Sequence, residues 1–479
     1  MPSLSVADPK MWVEQEFKSL DLLDQRLKKR AIRIAADFAA APQSGIPQAS
    51  GGDWGRTKAA YRFFDNDAVR SEALLAAHRE ATLERMSRES LVFAIQDTSF
   101  LNFTTHPCTE GLGPIGNNRE KTIGLIAHST LALSENGLAL GLLDVAISVR
   151  DREHFQSKTK ARNREPIQAK ESYKWLQAYE AVNKAVAQLP PQTRVVSISD
   201  RESDIYELFL SAQEHHAQGG RVELLVRAKH QRQIEADDAL LWDHVGQQAR
   251  AAKLVVAVPR QPGRRARQAT LSIRFCAVRL SAPVDRQKYQ KLCTVLSLWA
   301  VEAREENPPA GVPALCWRLL TTVELSNCKE AIEKVRWYTL RWQIEVFHKI
   351  LKSGCHAEER QLENAQRLKR VLMMDMIVAW RILALSKMGR QRPGSPASVL
   401  LTEAEWKALY CYVEKTSKAP VEPPNLGQAL RWVAHLGGFL GRRSDADPGP
   451  VVLWRGLQRL SDITQSWLLF QEDRNVGNA

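Results

Sequence analysis

Residues 90–98 read SLVFAIQDT and residues 194–200 read RVVSISD, and these two stretches decide the fold. Each is an apolar run of the length typical of a buried strand, and each ends in polar residues that include an aspartate. An amphipathic helix is predicted between them at residues 169–189. Strands that alternate with helices predict a protein of the α/β class. The carboxyl ends of such strands often carry chemistry, so Asp97 and Asp200 are candidate site residues.

Further strands are predicted on both sides of this pair. Residues 122–133 and 138–149 predict two strands joined by a turn at 135–137 (ENG), and residues 221–227 (RVELLVR) predict another. Short strands also flank the basic segment 262–267 (PGRRAR). They are predicted at 254–258, 269–275, 293–303 and 314–323.

The charge of the chain permits a polyanionic partner. Its 479 residues include 67 Lys plus Arg against 54 Asp plus Glu, a net charge of +13, and the length suggests about three domains. Residues 244–284 contain eight Lys or Arg and no Asp or Glu. Most surfaces mix both signs, so this window predicts contact with nucleic acid, the alternative being a solvated hairpin tip. Its candidate contacts are Arg264, Arg265 and Arg267.

The composition excludes several classes of protein. A hydrophobic content of 44% with 25% charged residues is ordinary globular composition and excludes wholesale disorder. The most apolar stretch, 122–149, is interrupted by polar and charged residues and falls short of about 18 apolar residues in a row. Seven widely spaced cysteines without a C-x-x-C pair predict neither a disulfide framework nor a Cys-rich zinc site. We therefore expect a cytoplasmic protein without a secretory signal or a membrane partner.

The N-terminal part predicts a helix with a basic side. Residues 21–39 (DLLDQRLKKRAIRIAADFA) place apolar residues such as Leu27 and Ile34 on one stripe. A Pro-, Gly- and Ser-rich loop follows, and then a second basic and aromatic stretch at 56–66. A solvated helix face and a face laid against DNA phosphates are the two interpretations, and we favour the second. The candidate contacts are Lys28, Lys29, Arg30, Arg33, Arg56, Lys58 and Arg62.

A long helix is predicted at 328–353 (CKEAIEKVRWYTLRWQIEVFHKILKS), closed by Gly354. Mixed polar stripes on helices are usually solvated, with i,i+4 ion pairs worth only about 0.2–0.5 kcal/mol each. At spacings of 3, 4, 4 and 3 residues, one continuous stripe of this helix contains Tyr338, Arg341, Glu345, Lys349 and Lys352.

Glu345 has a second interpretation besides a solvated helix stripe: together with Asp97 and Asp200, it could bind a cation. Three carboxylates that converge on one point repel each other unless a cation compensates them. Mg²⁺ prefers oxygen ligands, and two such ions can clamp the attacking and leaving oxygens of a phosphoryl transfer. Neighbouring Arg and Lys side chains would then position the scissile strand. Glu202 and Asp204, just after the second aspartate, are expected to cap the helix that starts there.

These motifs are similar to those of a known family. The sequence resembles the bacterial cut-and-paste DDE transposases of the IS-four type, whose Tyr-x2-Arg-x3-Glu-x6-Lys signature is matched without a gap from Tyr338 to Lys352. The family's Asp-Arg-Glu-x-Asp block is matched at 200–204 (DRESD), and its first catalytic aspartate at 96–98 (QDT). Further matches, which extend the resemblance over most of the chain, lie at 227–230 (RAKH), 315–317 (LCW), 58–66, 436–439 and 454–456.

The resemblance implies an α/β fold with an RNase H-like core, a mixed β-sheet flanked by helices. It implies a helical N-terminal domain at 1–70 that binds DNA ends and a catalytic core at 71–385. A β-rich basic insertion would interrupt that core at about 230–325. A helical C-terminal dimerisation domain is implied at 386–479, where many Trp and Leu residues suit a packed region or a dimer surface.

The resemblance also implies the chemistry. Asp97, Asp200 and Glu345 would bind two Mg²⁺ ions, for which Mn²⁺ is expected to substitute. A homodimer in a synaptic complex would act on double-stranded DNA, both the inverted ends and the target, by nicking, hairpin formation, hairpin opening and strand transfer. Trp317 would stack on a flipped base, unless it is a core residue of its strand. The remaining implied DNA contacts are Arg227, Lys229, His230, Tyr338, Arg341, Lys349 and Lys352.

Two other functions remain as alternatives. One is a catalytically silent DNA-binding regulator derived from a transposase, against which the intact set of three carboxylates argues. The other is a plain RNase H-like nuclease, which needs neither the basic N-terminal segment nor the long helical C-terminal region.

Overall fold

A computed structural model describes residues 9–116, 121–151, 165–235, 239–258, 266–284, 294–442 and 447–476. Arg264 and Arg265 lie outside these ranges. Ten strands within them form one sheet with the order β2-β3-β1-β5-β6-β10-β9-β8-β7, and β4 pairs with β3. The strands are β1 (Leu91–Asn102), β2 (Gly113–Pro114), β3 (Ile123–Ser134), β4 (Ala139–Ser148), β5 (Arg194–Ser199), β6 (Val222–Arg227), β7 (Ala252–Val258), β8 (Arg267–Leu280), β9 (Leu296–Glu305) and β10 (Cys316–Thr321).

The sheet is mixed, which confirms the α/β prediction with a central mixed sheet. Its middle strands β1, β5 and β6 are parallel, whereas β3 and the four strands from the β-rich segment pair antiparallel. That segment joins the sheet through β10, which pairs with β6. The predicted turn between β3 and β4 is confirmed, and Gly137 in it has a positive φ of 78°, which glycine adopts without strain.

Helices cover both faces of the sheet and form both ends of the chain. The helices are α1 (Pro9–Glu16), α2 (Gln25–Ala40), α3 (Ile46–Ala49), α4 (Trp54–Asp65), α5 (Ser71–Met86), α6 (Tyr173–Val186), α7 (Tyr206–Ala217), α8 (Leu241–Gln247), α9 (Cys328–Thr339), α10 (Trp342–Lys349), α11 (Ala365–Gln391), α12 (Glu403–Glu414), α13 (Leu426–Leu436) and α14 (Pro450–Val476). None of the described helices is long and apolar enough to cross a membrane.

The alternation of side chains along β1 explains the two hydrophobic cores. Phe93 and Ile95 face a core shared with the N-terminal helices and with α9, α10 and α11. Val92 and Ala94 face a second core shared with α6, α7 and α8. Successive residues of a strand point to opposite faces, so Asp97 continues the row of Phe93 and Ile95 toward α10.

The first predicted strand is longer than expected. Its apolar run ends at Ile95, but β1 continues to Asn102 because β3 pairs with it antiparallel as far as Asn102 and Gly124. Asp97 therefore lies inside a strand, and the prediction of a strand-terminal aspartate was wrong at this position. Asp200, in contrast, directly follows the last residue of β5.

The prediction of one long helix at 328–353 was also wrong, because the structure has two helices separated by a break at residues 340–341. Helix α9 ends at Thr339, and the backbone N–H groups of Leu340 and Arg341 bond three residues back in a tight turn before α10 begins. The closing Gly354 is the last residue of a π-helical turn, Ile350–Gly354. Such turns occur often at functional sites.

A buried ion pair joins the N-terminal helices to the segment after α10. The Arg360 guanidinium donates two hydrogen bonds, of 2.9 and 2.7 Å, to the Asp375 carboxylate of α11. It also donates to the backbone carbonyl of Ser44 and stacks 4.4 Å from the Phe38 ring. The basic N-terminal helices thus contact the part of the chain that carries Glu345.

Candidate active site

Asp97, Asp200 and Glu345 lie near one another, close enough for the charges of Asp200 and Glu345 to act on the Asp97 carboxyl. Strands β1 and β5 pair in parallel register up to Ile95 and Ile198, and each aspartate lies two residues beyond its member of that pair. Glu345 comes from α10, which packs against β1. Three separate parts of the sequence therefore supply one group of carboxylates.

Burial and negative charge act together on Asp97. Burial raises the pKa of the Asp97 carboxyl to about 6, and the negative charges of Asp200 and Glu345 add to that effect. The Arg341 guanidinium and a 2.9 Å hydrogen bond from the Thr98 backbone N–H lower the pKa without cancelling the rise. Burial is therefore the main reason why the Asp97 carboxyl is hard to ionise.

Arg341 lies between two of the carboxylates. Its Nη1 is 3.4 Å from Asp97 Oδ2, and its Nη2 donates to the Glu345 carboxylate one helical turn away. Only 14% of its side chain is exposed, so the pair does not belong to a solvated stripe. The guanidinium fixes the two carboxylates relative to each other.

The donor set suits a hard cation. Carboxylate oxygens are the ligands that Mg²⁺ prefers, and a bound cation would favour the ionised form of Asp97, which burial disfavours. Among the residues that the structure describes, no three His, Cys, Asp or Glu side chains are close enough together to hold a metal ion. The metal ligands remain a prediction.

Two buried histidines lie near this part of β1, His348 beside Asp97 and His128 beside Thr98, and neither is among the predicted site residues. Nδ1 of His348, on α10, is 4.0 Å from Asp97 Oδ2, and His128, on β3, is 2.9 Å from the Thr98 hydroxyl. Burial lowers the pKa of each imidazole to about 3, so both are neutral at physiological pH. The available signal for His128 was a histidine inside the apolar strand IGLIAHSTLALS.

Tyr338 and Trp317 form an aromatic contact next to the carboxylates. Their ring centroids are 6.2 Å apart in an edge-to-face arrangement. Tyr338 is buried, which raises the pKa of its hydroxyl, while Arg341 and Arg227 lower it. Trp317 is half-buried against the core, so both interpretations of this residue remain open.

The two lysines of the predicted stripe differ in their contacts. Lys352 donates to the backbone carbonyl of Phe100 and lies 3.6 Å from the Glu358 carboxylate, so it ties the π-helical turn to β1. Lys349 is exposed. Of this pair, Lys349 is the side chain more available to an added phosphate.

Lys229 and His230 follow the end of β6 with exposed side chains, and Arg227 is the last residue of that strand. The predicted capping role of Asp204 was wrong. Helix α7 begins at Tyr206 without a side-chain cap, and Asp204 is instead bonded to the backbone of Lys229 and His230. The nearby cap is Asp200, whose carboxylate accepts a 2.9 Å hydrogen bond from the Glu202 N–H.

A basic groove of about 540 Å³ lies between α2 and α4. It is lined by four of the predicted contacts and by one basic residue outside the predicted set: Lys29, Arg30, Arg33, Arg56 and Arg26. Lys28 instead donates a 2.8 Å hydrogen bond to the Lys18 carbonyl, and Lys58 and Arg62 are exposed elsewhere on α4. In the β-rich segment, Arg267 pairs with Glu305 across β8 and β9.

Both ends of the chain match known families. Residues 9–69 match the family described as transposase DNA-binding, and this range contains α1 to α4 with the whole basic groove. Residues 377–467 match the Tn5 transposase dimerisation domain, from the second half of α11 into α14.

Proposed function

The chain is a Tn5-like transposase with a DNA-binding domain and a dimerisation domain, and we propose that Asp97, Asp200 and Glu345 catalyse its DNA cleavage and strand transfer. The observation that carries this proposal is the proximity of these three carboxylates, from β1, β5 and α10, two of which, Asp97 and Glu345, contact Arg341. The parallel centre of the mixed sheet, with helices on both faces, supports an RNase H-like core.

Two Mg²⁺ ions, or Mn²⁺ in their place, are the proposed cofactors, held by Asp97, Asp200 and Glu345. When bound, such ions stabilise charge on the attacking and leaving oxygens of a phosphoryl transfer. Arg341 holds Asp97 and Glu345 in place. The side chains of Lys229, after β6, and Lys349, at the end of α10, are exposed and available to phosphates.

The proposed reaction consists of four transfers at phosphorus. Water attacks a phosphodiester at the element end, and the 3′-oxygen leaves as a hydroxyl. That hydroxyl attacks a phosphodiester of the opposite strand and closes a hairpin, and the flanking DNA leaves with a free 3′-hydroxyl. A second water opens the hairpin and regenerates the 3′-hydroxyl of the element end. This hydroxyl then attacks a phosphodiester of target DNA, from which the 3′-oxygen of the target strand leaves. His128 and His348 are buried and neutral, so neither imidazole offers a positive charge to these phosphates.

The proposal is tested with purified protein, Mg²⁺ and a duplex that carries the element's end from the DNA flanking the coding region. We expect a hairpin-capped product on a denaturing gel. Binding without any cleavage would favour the silent regulator, and cleavage of duplexes irrespective of the element end would favour the plain nuclease.

A further inference from the structure

Asp204 is a fully buried carboxylate outside the group of three, and it accepts hydrogen bonds from a distant segment. Its Oδ2 accepts from the backbone N–H groups of Lys229, at 2.7 Å, and His230, at 2.8 Å. Its Oδ1 pairs with the buried Arg232 guanidinium, which also donates to the Asp204 backbone carbonyl at 2.8 Å. The side chain and backbone of one residue thus contact Lys229, His230 and Arg232, in a segment about 25 residues away.

The segment 228–232 is fixed at further points. The N–H of Ala228 donates to the Arg318 carbonyl of β10, and the indole N–H of Trp242 donates to the His230 carbonyl. The backbone is therefore immobilised, while the side chains of Lys229 and His230 remain exposed. Two exposed cationic or polar side chains on a fixed backbone are pre-organised for a ligand.

The same segment forms one wall of a cleft of about 740 Å³. Lys174 and Arg201 line the same cleft as Lys229 and His230. Only a three-residue helical turn, Arg201–Ser203, separates Asp204 from Asp200. Asp204 therefore fixes the distance between a carboxylate of the candidate active site and the basic side chains of this cleft.

We propose that Asp204 is a positioning residue that aims Lys229 and His230 at DNA phosphates beside the active site. This inference rests on the proposed function. According to this proposal, the buried Asp204 carboxylate strengthens the binding of DNA. Charge repulsion alone would predict that a carboxylate weakens it. Loss of the carboxylate removes a negative charge near the DNA, so a purely electrostatic effect would strengthen binding.

The test is a double-mutant cycle of Asp204→Asn and Lys229→Ala, with the end-containing duplex as probe and anisotropy measured from low to high NaCl. Each lost phosphate contact lowers the slope of log K against log[salt] by about 0.9. We expect Asp204→Asn to weaken binding and to lower the slope by about 1 to 2, and the double variant to bind no more weakly than the weaker single variant.

Lys407→Ala is the control for the loss of one lysine charge, because Lys407 pairs with Glu403 on α12, within the range that matches the dimerisation family. We expect an unchanged salt slope for this variant. If Asp204→Asn does not fold, Asp204→Glu replaces it in the cycle. Glutamate keeps the charge but shifts the segment by one methylene, and we expect it to lower the slope as well.

Binding by Asp204→Asn at wild-type strength or tighter with an unchanged slope would overturn the inference. Effects that multiply in the double variant would also overturn it, since they mean that Asp204 and Lys229 act independently. If wild-type protein binds no end-containing duplex, the proposed function fails, and this inference fails with it. If wild-type protein binds and Asp204→Asn matches it, this inference alone fails.

Discussion

At the scale of single residues, the fold makes ionisation of the Asp97 carboxyl unfavourable. Its carboxylate is largely buried, faces two other carboxylates and has one close guanidinium partner. The pKa of about 6 lies above the ordinary value of 3.8, so folding binds a proton to Asp97 between those values. Stability from this group is therefore complete below about pH 4 and is lost as the pH rises through about 6.

We predict that Asp97→Asn stabilises the metal-free protein at pH 7.5, because the amide carries no charge to bury. The shift of the pKa from 3.8 to about 6 corresponds to roughly 3 kcal/mol as an upper bound. Urea unfolding at pH 7.5 and pH 4 measures it, and the advantage should vanish at pH 4. Lower stability than wild type at pH 7.5 would contradict the assigned burial.

At the scale of elements, α2 and α4 form a groove whose cations follow the helical period. Residues 26, 29, 30 and 33 lie on one side of α2, and Lys28 lies on another, where it contacts the Lys18 carbonyl. The sequence spacing was enough to separate Lys28 from the groove residues, because positions three or four residues apart share a helix face. Our sequence prediction included Lys28 and omitted Arg26.

We predict that Arg30→Ala together with Arg33→Ala weakens end binding and lowers its salt slope by about 2. Lys28→Ala is the matched control, since it removes one charge from the same helix outside the groove, and it should leave the slope unchanged. Salt titrations of the three proteins decide the question. Equal slopes for the double variant and the control would remove the groove from the DNA interface.

Strand and helix bounds show what the sequence alone could predict. Apolar runs located β3, β4, β5 and β6 within a few residues, because burial of both sheet faces requires such runs. The extension of β1 past Asp97 and the turn at Leu340 and Arg341 were missed. Both depend on distant partners: the first on antiparallel pairing with β3, the second on packing of α9 and α10 against the sheet.

In the candidate site, the sequence predicted the residues that belong to motifs but not those whose role depends on a remote neighbour. The three carboxylates and Arg341 were identified from their motifs, and they lie near one another. His128 and the contacts of Asp204 were not identified, because each depends on a neighbour that is remote in sequence. Asp204 and Lys229 meet only because β5 and β6 are adjacent and parallel.

At the scale of the whole molecule, the two ends of the chain have separate tasks on one sheet. Residues 9–69 supply a DNA-binding domain and residues 377–467 a dimerisation domain. Helix α14 continues beyond the matched range with exposed apolar side chains at Leu468, Leu469 and Phe470. Exposed apolar patches often mark interaction sites, so we expect a second copy of the chain to cover this row.

We predict that Leu469→Glu with Phe470→Glu shifts the protein toward monomer, because two charges would be buried in the dimer interface. Light scattering over a range of protein concentrations measures the change. Gln465→Glu adds a charge to an exposed position of the same helix and is the control. An unchanged dimer in the double variant would exclude this end of α14 from the interface.

The most direct test of the central claim is cleavage of end-containing DNA by Asp97→Ala, Asp200→Ala and Glu345→Ala, with binding measured in parallel. We predict that each variant binds the duplex at near wild-type strength and forms no nick or hairpin, because the group that supports chemistry is lost while the DNA-binding domain remains. Glu359→Ala, which removes an exposed acid after α10, should cleave normally. Cleavage retained by any of the three variants would contradict the assignment of the active site.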